Sequence, residues 1–154
     1  MSAARDGSLT VLYALVGDIR RVRIPEPGHP RFADDLWQHT CFELFARRKG
    51  LEAYFELNCA PSAEWALYAF DRYREGMRRV EGALARRIAV RRRDDALDLD
   101  VTIAASAVGM TPPLSVGVSA VIEETDGTYS FWALAHPSDK PDFHHPDAFM
   151  LHLT

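Results

Sequence analysis

The sequence predicts an all-β protein whose strands form an antiparallel β-sandwich. Short segments of alternating or continuous apolar residues recur along the chain, and turn residues separate them at spacings typical of this class. Of the 154 residues 47% are apolar, which is enough to enclose one sizeable hydrophobic core. No internal repeat or low-complexity segment divides the sequence. We therefore expect a single domain spanning residues 1–154.

The first predicted strand is Leu9–Val16, an apolar stretch that ends at the turn pair Gly17-Asp18. Residues 25–35, PEPGHPRFADD, contain three prolines and one glycine. The fixed φ angles of proline and the freedom of glycine disfavour a regular element, which predicts a long surface loop. Loops of this kind often border binding sites.

Two further strands are predicted at Thr40–Arg47 and Ala53–Cys59, joined by a turn at residues 48–50. Side chains alternate between the two faces of a strand, so an antiparallel pair directs both apolar sets inward. These inward sets are Phe42, Leu44 and Ala46 with Phe55, Leu57 and Cys59. The same pairing puts Glu43 and Glu56 on the other face, directly opposed or diagonal. Two carboxylates are therefore predicted to share a small surface.

The segment Glu64–Val80 carries two competing patterns. Apolar residues recur at helical spacing along the whole segment: Trp65, Ala69, Tyr73, Met77 and Val80. Its first part, residues 65–70, is also a continuous apolar run typical of a buried strand. Periodicity alone leaves helix and strand open here.

A charged hairpin is predicted at Arg87–Arg93 and Leu97–Ile103, which flank a turn at residues 94–95. Alternation buries one face of the hairpin and places Arg91 across from Asp98 on the other. The arginine run is then a solvated strand face with cross-strand ion pairs. Nucleic-acid binding is disfavoured, because no aromatic residues interleave the arginines as a stacking platform requires.

The C-terminal part predicts three more strands. Leu114–Glu123 and Tyr129–Ala135 flank the turn pair Asp126-Gly127 and form a hairpin. The last strand, Phe149–Leu153, alternates apolar and polar or flexible side chains and closes the sheet.

Charge and hydropathy limit the partners and the location. The 18 Lys and Arg residues are outnumbered by 22 Asp and Glu, so the formal net charge of −4 attracts neither nucleic acid nor an anionic membrane. Residues 1–21 fit neither a signal peptide nor a membrane span of about 20 apolar residues. We expect a cytoplasmic protein in which Cys41 and Cys59 stay reduced, on opposite faces of the predicted sheet. The oligomeric state is not readable from the sequence.

A series of spaced residues runs through the first half of the chain: Leu12-Tyr13, Gly17-Asp18, Trp37, Glu43, Phe45, Tyr54, Glu56, Asn58, Pro61 and Ser62. With the surrounding segment Leu36–Met77, this series resembles the DOMON-like domains related to family 9 carbohydrate-binding modules. The tail Trp132–Leu153 is similar to that of the family's small single-domain bacterial branch, which has no assigned activity. The resemblance implies a jelly-roll or immunoglobulin-like sandwich of roughly ten strands, with a strand at the start of Glu64–Val80. Known relatives bind sugars between aromatic rings or hold haem.

The resemblance and the facing carboxylates together predict non-catalytic binding of a small carbohydrate-like ligand in a pocket on the sandwich. Aromatic planes pack on the C–H faces of a pyranose, while carboxylates and amides bind its hydroxyls. The candidate ligand-binding residues are Trp37, Glu43, Tyr54, Glu56, Asn58, Arg74, Trp132 and His144. Trp65 and Tyr68 are further aromatic candidates, and for Trp65 and Trp132 core and site both stay open.

Other roles for the two glutamates remain open at this stage. Two carboxyl groups in unlike environments could divide acid and base roles in a glycoside-processing enzyme. They could also hold calcium, which takes oxygen ligands. The plainest alternative is that each glutamate is neutralised by an arginine close in sequence, namely Arg47, Arg72 or Arg74.

The tail contains a cluster of histidines and aspartates: His136, Asp139, Asp142, His144, His145, Asp147 and His152. Such a cluster raises the alternative of a haem- or metal-binding domain, with Met77, Met110 or Met150 as a second haem ligand. The spacing matches no zinc or haem-attachment motif. Prolines at 137, 141 and 146 stiffen the segment, which favours a structural turn or the rim of a pocket. We therefore expect neither a metal nor another cofactor.

Overall fold

The computed structural model describes residues 1–3, 6–80 and 85–154, and it contains two β-sheets that pack face to face. In chain order the strands are β1 (Ser2–Ala3), β2 (Leu9–Val16), β3 (Arg31–Phe32), β4 (Cys41–Arg48), β5 (Tyr54–Cys59), β6 (Glu64–Phe70), β7 (Arg78–Arg79), β8 (Ala85–Arg92), β9 (Ala96–Ile103), β10 (Leu114–Glu123), β11 (Tyr129–Ala133) and β12 (Leu151–Leu153). Short 3-10 helices lie at Ile19–Arg21, Leu36–Gln38, Ala105–Val108 and Pro146–Ala148. No helix in the described ranges is long and apolar enough to span a membrane.

The two sheets differ in size. One has four strands in the order β1-β2-β9-β8, and the other has eight, with β11-β10-β4-β5-β6-β3 as its main path. In the larger sheet β12 also pairs with β10, and β7 pairs with β6. All pairs are antiparallel except β3 with β6, which is parallel. The predicted all-β sandwich is confirmed, with one parallel pair added at the edge.

The main core lies between the sheets. Alternate residues of β9, among them Leu97, Leu99 and Val101, are fully buried there against the inward residues of β4 and β5. Trp65 of β6 belongs to this core and makes an edge contact with Phe32. The structure thus places Trp65 in the interior, one of the two roles that the sequence left open.

A second apolar cluster covers the opposite face of the eight-stranded sheet, which we call the outer face. The cluster comprises Leu36, Cys41, Phe45, Tyr54, Ala60, Ala66, Tyr68, Phe70, Ala148 and Phe149. Its members come from β4, β5 and β6, from the turn after β5 at Ala60, and from two segments that lie over them, the 3-10 helix at 36–38 and the tail around residue 149. The larger sheet is therefore covered by apolar contacts on both faces. Cys41 lies in this cluster and Cys59 in the main core, and both are free thiols, as the alternation predicted.

The burial on both faces explains the ambiguity in Glu64–Val80. Strand β6 directs Trp65 and Leu67 into the main core and Ala66, Tyr68 and Phe70 onto the outer face. A strand buried on both sides has a continuous apolar run, so its period of two is hidden in the sequence. The helical interpretation of this segment is wrong, and the chain after residue 70 turns into the short strand β7.

The last strand begins two residues later than the sequence predicted. Strand β12 begins at Leu151 instead of Phe149, because residues 146–148 form a 3-10 helix started by Pro146. Phe149 packs into the outer cluster instead. It lies over Gly117 of β10, where an added Cβ would be 3.0 Å from the Phe149 ring, so the glycine makes this close approach possible.

The arginine-rich hairpin has the predicted register, with Arg91 paired to Asp98 across β8 and β9. Arg93 Nη1 lies 2.7 Å from Asp98 Oδ2 in an ion pair that stays open to water. The charged face is therefore solvated.

We expect Arg93→Ala to lower the free energy of unfolding by less than about 1 kcal/mol, since exposed ion pairs contribute little. Urea denaturation measures the change. Arg92→Ala, on the same solvated strand, is the control, and any difference between the two variants should vanish in about 1 M salt. A loss of several kcal/mol would contradict a solvated arginine face.

Candidate functional site

A cavity of about 820 Å³ opens on the outer face of the eight-stranded sheet. Its volume is within the range usual for small-molecule sites. The side chains of β4 and β5 that reach it are Glu43 and Glu56. The full lining is Asp34, Asp35, Trp37, Glu43, Glu56, Tyr68, Phe70, Arg74, Met77, Arg79, Val121, Phe131, Lys140, Pro141, Phe143 and His144.

Strand register brings the two glutamates together. Glu43 is opposite Asn58 and Glu56 is opposite Phe45, so the glutamates are diagonal neighbours on one face. This is one of the two arrangements that the alternation predicted. Both side chains are almost completely buried, with residue exposures of 3% for Glu43 and 7% for Glu56. The cavity therefore has an acidic floor made by two adjacent strands.

The environment of Glu43 favours its neutral form. Burial, followed by the nearby charge of Glu56, raises the pKa of Glu43 to about 8, although a hydrogen bond from Ser119 opposes the shift. Ser119 Oγ donates this bond to Glu43 Oε2 over 3.2 Å. A carboxyl group with this pKa is mostly protonated at neutral pH, so Glu43 can donate as well as accept a hydrogen bond.

Glu56 has stronger hydrogen-bond support than Glu43. Asn58 Nδ2 donates to Glu56 Oε1 over 2.8 Å. Burial raises the pKa of Glu56, while this bond and the charge of Arg74 oppose the rise. Asn58 itself is fully buried, and its Oδ1 has no hydrogen-bond donor among the described residues. A buried amide oxygen without a donor is a costly arrangement.

A chain of hydrogen bonds fixes His144 beside Glu56. The backbone N–H of Arg74 donates to the hydroxyl of Tyr54 over 3.2 Å, and the same hydroxyl lies 2.8 Å from His144 Nδ1. Burial and the charge of Arg74 lower the pKa of His144 to about 4, against a smaller effect of Asp142. The ring is therefore neutral at pH 7, with Nδ1 hydrogen-bonded to the Tyr54 hydroxyl and Nε2 at 3.7 Å from Glu56 Oε2.

Arg74 anchors the tail at the cavity rather than neutralising a glutamate. Its Nη2 lies 2.8 Å from Asp142 Oδ1, and Tyr73 donates to the other oxygen of Asp142. Burial alone would raise the pKa of Asp142, but the bonds from Tyr73 and Arg74 lower it below its usual value. Asp142 also accepts from the backbone N–H of His144, which holds that residue over the sheet.

The proposed arginine partners of the two glutamates are engaged elsewhere. Arg72 pairs with Glu75, and the guanidinium of Arg47 lies 5.3 Å from the centre of the Phe149 ring. Within the described ranges no arginine forms an ion pair with Glu43 or Glu56. Among the described residues, none of Arg47, Arg72 and Arg74 therefore forms a direct ion pair with a glutamate, although the charge of Arg74 still lowers the pKa of Glu56.

The rim contains residues that the sequence did not single out. Tyr68 donates to Asp34 Oδ1 over 2.9 Å, and Asp34 also pairs with Arg79. Asp34 is part of the proline-rich loop, whose composition was the available signal. Phe131 and Phe143 add aromatic walls, and their rings contact each other.

Trp37, one of the predicted candidates, lies at the rim on its 3-10 helix and is 52% exposed.

Trp132 is not at this cavity. It is paired with Ala120 in the β10–β11 register and thus directed to the opposite side from Phe131. It lines a second cavity of about 330 Å³ together with Tyr13, Phe42 and Leu134. Five of the eight candidate residues line the large cavity: Trp37, Glu43, Glu56, Arg74 and His144. Tyr54 and Asn58 do not line it but hydrogen-bond to His144 and Glu56, and Trp132 lies apart.

The tail histidines are separated in space. His144 faces Glu56, His145 accepts a hydrogen bond from the backbone N–H of Asp147, and His152 lies near Ser115 at the sheet edge. In the parts of the chain that the structure describes, no three His, Cys, Asp or Glu side chains are arranged to hold a metal ion. The density of histidines in the sequence therefore does not become a cluster in the fold.

The fold is similar to that of a Bacteroides uniformis protein of known crystal structure, which is provisionally named a carbohydrate-binding protein. The TM-score is 0.64 at 15% sequence identity, and the alignment covers 93% of this chain and 71% of that chain. No protein-family model matches the sequence, nor does any curated protein. At this level of identity the similarity shows a shared fold.

Proposed function

We propose that the protein binds a small carbohydrate-like molecule, without chemistry, in the cavity on the outer face. The observation that carries the proposal is a cavity of about 820 Å³ with two buried carboxyl groups at its floor and aromatic side chains around it. The fold shared with the provisionally named carbohydrate-binding protein supports it. So does the resemblance of the sequence to DOMON-like domains. The proposed binding requires neither a metal nor haem.

The lining suits a ring with hydroxyl groups. Trp37, Phe131 and Phe143 offer flat apolar surface for the C–H faces of a sugar. Glu56 offers acceptor oxygens and a neutral Glu43 offers a donor. The floor can therefore both accept hydrogen bonds from sugar hydroxyls and donate to them. His144 is held in position by its hydrogen bond with Tyr54 and adds a fixed polar group at the wall. This preorganisation lowers the entropic cost of binding.

Trp37→Ala is expected to weaken binding about 10-fold or more, because an exposed indole at the rim loses its contact with the ligand. Isothermal titration calorimetry against a panel of mono- and disaccharides, amino sugars included, measures the change. Trp132→Ala is the matched control, since it removes an equally exposed tryptophan from the other side of the sheet.

The two tryptophan variants separate the two cavities. Loss of affinity in Trp132→Ala alone would place the ligand in the second cavity instead. No binding heat with any sugar would contradict the proposed function itself.

Glycoside hydrolysis is a second candidate, and the raised pKa of Glu43 beside Glu56 is the observation that favours it. An enzyme of this class needs one protonated and one ionised carboxyl group. Chromogenic glycosides test the idea directly. Turnover that disappears in Glu43→Gln would establish catalysis, and binding without turnover supports the non-catalytic proposal.

A further inference from the structure

The acidic floor of the cavity lacks a cation. In the described ranges, Glu43 and Glu56 have no Lys or Arg partner, although both side chains are buried. His144 is the nearest basic side chain to Glu56, and it is a neutral ring at pH 7. Two buried carboxyl groups that share a site without a positive charge are electrostatically unfavourable.

The charged groups around the rim supply little of the missing charge, since Arg74 acts on Glu56 without pairing with it. Arg74 is paired with Asp142, and Arg79 is paired with Asp34. Lys140 and Asp35 also line the cavity, and both are exposed to solvent. The rim is therefore close to balanced, while the floor carries an excess of acid.

The floor is also short of hydrogen-bond donors. Asn58 lies beneath the floor and does not line the cavity; it is fully buried, hydrogen-bonded to Glu56 and opposite Glu43, and its Oδ1 has no donor among the described residues. Glu43 has one side-chain donor, the hydroxyl of Ser119. An ammonium group brings three donors and a positive charge, whereas a sugar hydroxyl brings one donor and no charge.

From this arrangement we propose that the ligand carries a protonated amine, as an amino sugar does, and that the amine lies against Glu43 and Glu56 at the floor. The inference rests on the proposed function and specifies the class of ligand. Neutral sugars of the same shape then bind more weakly, because they neither stabilise the ionised form of Glu43 nor bring a positive charge to Glu56.

Binding of an amine should also release a proton from the site. Glu43 is mostly neutral in the free protein at pH 6.5, and a bound cation favours its charged form. Since that proton passes to the buffer, the heat of binding should depend on the ionisation enthalpy of the buffer.

The test is calorimetry at pH 6.5 with pairs that share ring stereochemistry: glucose and glucosamine, galactose and galactosamine, mannose and mannosamine. We expect at least one amino sugar to bind about 10- to 100-fold more tightly than its neutral parent, since one charge-assisted hydrogen bond accounts for such a factor. The N-acetylated sugars, which keep the bulk and lose the charge, should bind like the neutral parents. Titration in two buffers that differ in ionisation enthalpy and offer no primary amine, phosphate and MES, should show proton release for the amines only.

Substitutions of the two glutamates test whether the preference for amines arises at the floor. Glu43→Gln and Glu56→Gln should each reduce the amine preference to about threefold or less, and Glu43→Gln should abolish proton release. Glu52→Gln removes the same charge from the exposed turn before β5 and should leave the preference unchanged.

The outcomes distinguish the two proposals. Equal affinity for amino, N-acetylated and neutral sugars would overturn the amine inference and leave sugar binding intact. No binding by any member of the pairs or by the wider panel would overturn both.

Discussion

Glu43→Gln is expected to increase the free energy of unfolding at pH 9 by roughly 3–5 kcal/mol and to change it little at pH 4. The pKa of Glu43 is about 8 in the folded protein, where burial and Glu56 disfavour the charge, against its ordinary value of 4.5. Between these two pKa values the folded state binds more protons than the unfolded state, so stability falls as pH rises. Each pKa unit between the folded and unfolded values changes the free energy of unfolding by about 1.4 kcal/mol. Glutamine resembles the protonated carboxyl group and has no such dependence.

Urea denaturation of both proteins from pH 4 to pH 9 measures this effect. The difference in free energy of unfolding between the two proteins should grow from about pH 4.5 to pH 8 and then stay constant. His144 contributes with the opposite sign, because its lowered pKa makes stability rise with pH up to about 6.5, but that contribution is common to both proteins. Glu52→Gln serves as the control and should run parallel to the unsubstituted protein. Parallel curves for Glu43→Gln as well would mean that Glu43 is ionised in the folded state.

Phe149→Ala is expected to lower the free energy of unfolding by about 3–5 kcal/mol, as for other buried phenylalanines. The ring is 5% exposed and packs on Phe45 and Tyr54, with ring centres 5.9 and 5.8 Å away. It is also the residue that holds the tail against Gly117. Because Tyr54 fixes His144, we expect loss of the ring to weaken ligand binding as well.

Denaturation and calorimetry together measure the two effects of this substitution. Met150→Ala changes the neighbouring residue, which is 57% exposed, and should alter the free energy of unfolding by no more than about 0.5 kcal/mol. A Phe149→Ala protein with unchanged stability would show that the tail is held by other contacts.

The parts of the fold that the sequence predicted well are those with one dominant pattern. The alternation in β4 and β5 has a clear inward apolar set, and a slip by one residue would expose it, so the placement of Glu43 and Glu56 on one shared face followed. The register then shows them as diagonal neighbours, one of the two arrangements expected. The turn between β8 and β9 is polar, and the two strands alternate, so the pairing of Arg91 with Asp98 followed too. Strand β6 could not be assigned from its own residues, because both of its faces are buried.

The candidate site was predictable at its floor and not at its walls. Residues 134–150 follow a path decided by contacts distant in sequence, such as Phe149 over Gly117 and Asp142 with Arg74. Local patterns contain no information about these contacts. Trp132 was included among the ligand residues because an aromatic plane can pack on a sugar ring, and only the register of β11 with β10 shows that it lies on the other side of the sheet.

The division of the cavity between sheet and tail has a consequence for how its preference for ligands can change. Glu43 and Glu56 are held by backbone pairing across two central strands, whereas Pro141, Phe143 and His144 belong to a segment whose backbone makes few such pairs. Substitutions in that segment can reshape one side of the cavity while the scaffold beneath stays constant. Homologous proteins with the same sheet and exchanged tails would then form a natural series of receptors, and transplanting residues 134–150 between them is a direct route to altered selectivity.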